Sequence, residues 1–246
     1  MQRFDAVLFD FADTLFDSRS ALRPDLMAAR CAEAGLIVQQ DDCARWIETI
    51  VAFVATPKGQ AMMRACDFTL PLHRASWTAC VHACADIPPA FAEPFYDVFC
   101  NAVLWRPFSD AMSVLRALSA HGIAIGVVSN IGWNVRPTLE VNHMTGFVDV
   151  VVQSFEVGAV KPGPEPFAAA LEQLQVEADR TLMVGDNWAT DGGAQAAGIT
   201  TLLLPGVRDT RQPRGLDMVL DLVGIARPGR EFARAPVGAL LAAAGN

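Results

Sequence analysis

The chain is 246 residues long, enough for one large domain or for a core domain carrying a sizeable insertion. Just over half of its residues are apolar and 19% are charged, an ordinary balance for a globular enzyme, and no apolar run approaches the roughly 20 residues of a membrane span. A formal charge of -8 disfavours nucleic acid as a partner, because such proteins present a basic face, yet leaves room for a locally positive pocket that takes an anion.

The first strand-like stretch begins at Phe4 with no room for a signal peptide before it, so the expected location is cytoplasmic. AVLFDF (6–11) is a short apolar run containing Asp10, the pattern of a buried parallel strand. From about Ser18 to Trp105 the pattern is helical instead. Helices are expected over 22–34, 41–54, 72–85 and 89–103, with breaks at Gly35, at Pro57 with Gly59, at Pro71 and at Pro88-Pro89. Buried-strand patterns then recur at 123–130, 147–154, 181–186 and 200–205. The segments DAMSVLRALSAHG, WNVRPTLEVNHM, GPEPFAAALEQLQV and TDGGAQAAG read as helices around and between them. Such alternation builds a parallel sheet covered on both faces, an α/β fold. The expected division is therefore a core of residues 1–17 and 106–246 and an all-helical cap of residues 18–105. Beyond Leu216 come an apolar helix (DMVLDLVG), an Arg/Pro/Gly-rich turn and a short Ala/Leu helix, to which no chemistry attaches.

Six cysteines fall between Cys31 and Cys100, none as a CxxC pair. Cys80, His82 and Cys84 suggest a metal site, but on a helix the two cysteines share a face that His82 does not. They read as small buried apolar groups.

Four polar constellations stand at the carboxyl ends of four predicted strands, where open parallel sheets place their ligands. They are DFADT (10–14), Ser129-Asn130, Lys161-Pro162 and GDNWATD (185–191). A lone aspartate at a strand end is often only a helix cap, but four such groups in order, each after its own strand, are hard to obtain by chance. In this order and strand context they resemble the four motifs of the haloacid dehalogenase (HAD) superfamily, over essentially the whole chain. The resemblance implies a Rossmann-like HAD core with a helical cap inserted after the first strand, and a Mg²⁺-dependent hydrolase acting on a small phosphorylated molecule. Asp10 would be the nucleophile. Asp10, Asp186 and the Ala12 carbonyl would supply metal ligands, and Asp191 would bind through water or orient Asp186. Thr14, Ser129 and the Asn130 amide would hold phosphoryl oxygens, and Lys161 would balance the crowded negative charge.

One position departs from the pattern. Phosphatases of this superfamily carry a second aspartate two residues after the nucleophile, which protonates the leaving alcohol and later activates water. Here that position is Ala12, which cannot exchange protons. Asp13 stands next to it where the family usually has glycine, and reads either as a substitute acid or as a cap of the following turn. A good leaving group, an acid supplied by the cap, or another means of activation would also answer the loss. Phosphonoacetaldehyde hydrolases of the superfamily resemble this motif, with alanine at the same place, and use a cap lysine as a Schiff base; Lys58 is the one lysine in the helical segment. Dehalogenases also lack the second aspartate, since halide needs no proton, but generally lack the GD metal motif. A binding protein that kept the fold without turnover is the rival from another class. Arg19, Arg23, Arg64, His73, Arg74 and Trp77 are the cap residues that could select a substrate, and Trp133 could wall the pocket.

Overall fold

The computed structural model describes residues 3–206 and 212–227. The final Ala/Leu segment and the preceding Arg/Pro/Gly-rich turn fall almost wholly outside these residues. Strand β1 (Ala6–Phe9) is buried on both faces. After a tight loop the chain makes β2 (Phe16–Asp17), then five helices: α1 (Pro24–Glu33), α2 (Gln40–Val54), α3 (Pro57–Met63), α4 (Leu70–His82) and α5 (Ala92–Phe99). It returns through β3 (Arg106–Pro107), antiparallel to β2, so the chain leaves and re-enters the sheet layer side by side. The remainder alternates: α6 (Ala111–Ala120), β4 (Ala124–Ser129), α7 (Arg136–Val141), β5 (Val150–Gln153), α8 (Ser154–Val157), α9 (Glu165–Leu174), β6 (Thr181–Gly185), β7 (Thr200–Leu203) and α10 (Asp217–Val223).

The five main strands form one parallel sheet in the order β5-β4-β1-β6-β7. The strand carrying Asp10 is central, beside the strand that ends at Asp186. Period-2 alternation divides the core. Val7, Phe9, Ile125, Val127 and Val184 face one way, onto α6 and α10. Leu8, Val128 and Met183 face the other, onto Phe167 and Ala170 of α9. A third apolar cluster lies wholly among residues 27–98, where Met27, Ile50, Phe91 and Phe95 pack helix on helix.

Three expectations need correcting. The break expected at Pro57 with Gly59 falls just before them, at 55–56, and Pro57 opens a further helix, α3, with the Thr56 hydroxyl accepting from the Gly59 amide at 3.1 Å. Proline is tolerated in a first helical turn because its missing N–H would have no partner there. The segment TDGGAQAAG makes a 3-10 helix at Asp191–Ala197 rather than an α-helix, its paired glycines disfavouring the longer form. Finally, β7 is a partly exposed edge strand, not a buried one. No helix among the described residues is long and apolar enough to cross a membrane.

Candidate active site

All four constellations converge at the carboxyl edge of the sheet. Asp10 follows β1 directly, its amide donating to the Val184 carbonyl of the neighbouring strand at 2.8 Å. The loop then folds back on itself: the Leu15 and Phe16 amides both donate to the Phe11 carbonyl, and the Asp13 amide donates to the Phe16 carbonyl. This path puts Asp13 in the left-handed region, at φ 58°. One oxygen of its carboxylate accepts from both the Ser18 amide (3.1 Å) and the Ser18 hydroxyl (2.8 Å), so Asp13 closes the turn. Thr14 is buried, and its hydroxyl has no partner among the described residues.

Lys161 reaches the centre from the loop between α8 and α9. Asn130 clamps its backbone from both sides, accepting from the Lys161 amide at 2.7 Å and donating to the Lys161 carbonyl at 2.8 Å. The ammonium donates to Asp10 (2.6 Å), Asp191 (2.6 Å) and the Val128 carbonyl (2.7 Å), which uses all three of its protons. Asp191 is equally committed. One oxygen takes Lys161, and the other accepts from the Asp186 and Asn187 amides at 3.1 and 3.0 Å. Gly185 allows this hold, since a Cβ there would lie 2.2 Å from the Asp191 carboxylate.

Asp10, Asp186 and Asp191 each place a carboxylate oxygen within 4.8 Å of the others. Burial raises the Asp10 carboxyl to about 7, against the pull of Lys161, with Asp191 and Asp186 adding to the rise. Burial also raises Asp186 to about 6, with Asp13 and Asp191 adding to it. Burial alone would lower Lys161, but Asp10 and Asp191 more than reverse that and hold it cationic. One ammonium thus faces three crowded carboxylates. The second Asp10 oxygen and both Asp186 oxygens receive no hydrogen bond from the described residues. This all-oxygen, under-neutralised donor set suits a hard divalent cation such as Mg²⁺. Asp191, with both oxygens engaged, fits the orienting role and not direct ligation.

Above these groups opens a cavity of about 670 Å³, with Ala12, Asp13 and Asn130 at its floor and Trp77, Phe95, Phe99, Trp105 and Trp133 among its walls. Trp133 is both wall and anchor, buried against Trp105 and Phe11. Arg19 and His73 also line the cavity; Arg23, Arg64 and Arg74 do not, and Arg23 and Arg74 pair with surface carboxylates. His73 cannot serve as an acid. Its Nε2 accepts from the Trp77 indole at 3.1 Å, its Nδ1 is 2.8 Å from the Tyr96 hydroxyl, and burial pushes it down to about 4. Lys58 is exposed on α3, its ammonium 5.9 Å from the Phe53 ring centroid, and does not line the cavity. This placement gives no support to the alternative of Lys58 as a Schiff-base lysine and fits an ordinary exposed lysine, here on a helix instead of a loop.

Two residues without a local signal also belong here. Arg214 is buried, donating to the Asp13 carbonyl at 2.5 Å and the Pro205 carbonyl at 2.7 Å. Asp67, from the turn between α3 and α4, lines the cavity. Neither sits in a motif or on a helical stripe, so spacing could not find them.

The haloacid dehalogenase-like hydrolase family matches residues 4–198. The glyceraldehyde 3-phosphate phosphatase of Methanothermobacter thermautotrophicus is 28% identical over 227 residues, which are 87% of this chain and 94% of that protein. A pyrophosphatase PpaX of Bacillus mycoides is 36% identical over 100 residues, where the match spans 40% of this chain and 46% of that protein. Among solved structures, the HAD-hydrolase YfnB of Bacillus subtilis, bound to magnesium, shares the fold with a TM-score of 0.68 at 19% identity, over 91% of this chain and all of that one. With its four motif loops gathered around Asp10 and its sheet in this order, the chain belongs to the haloacid dehalogenase-like hydrolases.

Proposed function

We propose that this hydrolase is a Mg²⁺-dependent phosphatase of small organic phosphates, with Asp10 as the nucleophile. The observation that carries the reading is the Asp10–Lys161–Asp191 contact with Asp186 alongside, one cation among three carboxylates, next to a cavity lined by Ala12, Asp13 and Asn130 of the same loops. The relative it matches over nearly the full length, a phosphatase by name, supports the same class.

Asp10 and Asp186 would hold the metal, with the Ala12 carbonyl as a third oxygen. Once bound, Mg²⁺ screens the repulsion between the attacking carboxylate and the phosphate oxygens. Lys161 favours the ionised form of Asp10 against burial and aims it. Asp191 holds the Asp186 loop through two amides. Ser129, the Asn130 amide and Thr14 receive the phosphoryl oxygens. Attack by Asp10 would form an aspartyl phosphate, which water then hydrolyses. Residues 18–105 act in this reading as a cap that walls the organic part of the substrate. Because those walls are largely apolar, the preferred esters carry an apolar or aromatic group, rather than the polyol of a small sugar phosphate.

The test is phosphate release from aryl, alkyl and acyl phosphates, with phosphonoacetaldehyde and a 2-haloacid included. Turnover of phosphates should need Mg²⁺ and fall to background in Asp10→Asn, which keeps the size but loses the charge. Halide release that persists in excess EDTA would replace this reading with dehalogenation.

A further inference from the structure

With alanine at position 12, the nucleophile loop lacks the aspartate that would protonate the leaving alcohol. Asp13 is tied to its turn through one oxygen that accepts twice from Ser18, and His73 is held neutral with its Nε2 already accepting from Trp77. In an in-line displacement the leaving oxygen lies opposite the attacking one, so here it points away from Asp10 towards the cavity. A donor reaching it must come from the helical side. Water attacking the aspartyl phosphate approaches from the same side, so one group can serve both steps.

Asp67 stands there. Its turn is fixed to the core at the loop that follows Ser129-Asn130. The Ser154 hydroxyl donates to the Asp67 carbonyl at 2.6 Å and accepts from the Ile131 amide at 2.9 Å, so one side chain joins the two segments. Gly132 closes the seam: a Cβ there would lie 2.3 Å from the His73 Cβ and 2.9 Å from the Cys66 carbonyl. Asp67 lines the same cavity as Ala12 and Asn130. Burial lifts its carboxyl above the usual range, opposed by the Cys66 thiol that donates to it and by the charge of Lys161. A carboxyl placed so is better able to hold a proton than one in water.

We propose that Asp67 is the general acid and base of this site, supplying from the cap the proton exchange that Ala12 cannot. The assignment rests on the phosphatase reading. In the first step Asp10 bonds to phosphorus, the bond to the alkoxy oxygen breaks, and that oxygen takes the Asp67 proton to leave as the alcohol. In the second, the Asp67 carboxylate removes a proton from water as its oxygen bonds to phosphorus, and the acyl phosphate bond breaks. Phosphate leaves, Asp10 is restored and Asp67 is protonated again.

The test is rapid-mix kinetics with Mg²⁺ on 4-nitrophenyl phosphate and 2-phenylethyl phosphate, whose leaving groups need little and much proton assistance. Asp67→Asn should still give a burst of nitrophenolate near one per enzyme, followed by slow turnover, because attack survives and hydrolysis of the intermediate does not. With the alkyl ester it should give no burst, and its rate should fall on the order of 10² to 10⁴-fold. Adding Ala12→Asp to Asp67→Asn should restore part of the alkyl turnover. Loss of the first turnover of both esters in equal proportion, or no loss of either first turnover or steady-state rate, overturns the assignment. The unmodified protein provides a check independent of folding. Its phosphorylation rate should differ little between the two esters, and a steep preference for the aryl ester overturns the assignment whatever the variant does. If the unmodified protein releases phosphate from neither ester, nor from any other phosphate offered, the phosphatase reading itself fails and Asp67 falls with it.

Discussion

Lys161 and Asp13 show how single side chains carry this site. Lys161 is nearly fully buried, and its ammonium is the counter-charge for Asp10 and Asp191. Removing one partner of a buried ion pair leaves an uncompensated charge, which costs about 3–5 kcal/mol. Lys161→Met should therefore lower stability by that order in urea unfolding with EDTA present, with part of the loss recovered on adding Mg²⁺. Asp13 is a backbone case. At φ 58° glycine is unstrained and aspartate tolerable, while a β-branched residue is not. Asp13→Gly should stay within about 1 kcal/mol of the parent, whereas Asp13→Val should cost about 1–3 kcal/mol in the same measurement.

At the scale of elements, the corner between α2 and α3 is the sharpest disagreement with the sequence pattern. Pro57 and Gly59 look like punctuation, yet one starts a helix and the other lets two helices touch. A Cβ on Gly59 would lie 2.2 Å from the Phe53 carbonyl oxygen and 2.6 Å from the Val54 Cα. Both are backbone atoms, so no rotamer can relieve the contact. Gly59→Ala should destabilise by about 1–3 kcal/mol, although alanine is the better helix former. Equilibrium unfolding checks the sign, and a stabilised variant would mean the corner is looser than described. The 3-10 helix after β6 makes the same point at Gly193, where a Cβ would lie 2.5–2.7 Å from Cβ, O and Cα of Pro162, the residue after Lys161.

For the whole molecule, the junction between the helices and the sheet is set by a few buried polar groups. His73 is chief among them, lying against Gly132 of the core and bonded to Tyr96 and Trp77. Burial depresses it from 6.5 to about 4, so the unfolded chain binds the proton first. Its contribution is complete above about pH 6.5, declines as pH falls, and levels off below about pH 4, a loss on the order of 3 kcal/mol. His73→Phe should remove this slope. The acidic groups of the site titrate across the same window with opposite sign, so the test is the difference between the two proteins in thermal melts from pH 7.5 down to about 4.5. Identical pH dependence in both would place the histidine in contact with water.

The strands, the parallel sheet, the helical segment after β1 and the four loops around Asp10 were legible in the sequence, because each is encoded locally. A buried strand is a short apolar run, and a site loop is a polar group at its carboxyl end. The pairing of Asp10 with Asp186 was expected only from the resemblance of the motifs, and the structure supplies its reason, since β1 and β6 are neighbours and bring their ends together. Other features depended on contacts between distant segments. Arg214 meets the Asp13 carbonyl across 201 residues, and Ser154 meets Asp67 across 87. None has a periodicity, because none belongs to one element. The same docking that leaves Lys58 exposed brings Asp67 to the cavity. Spacing reports which face of its own element a side chain occupies, but only the packing of one element on another decides what that face meets.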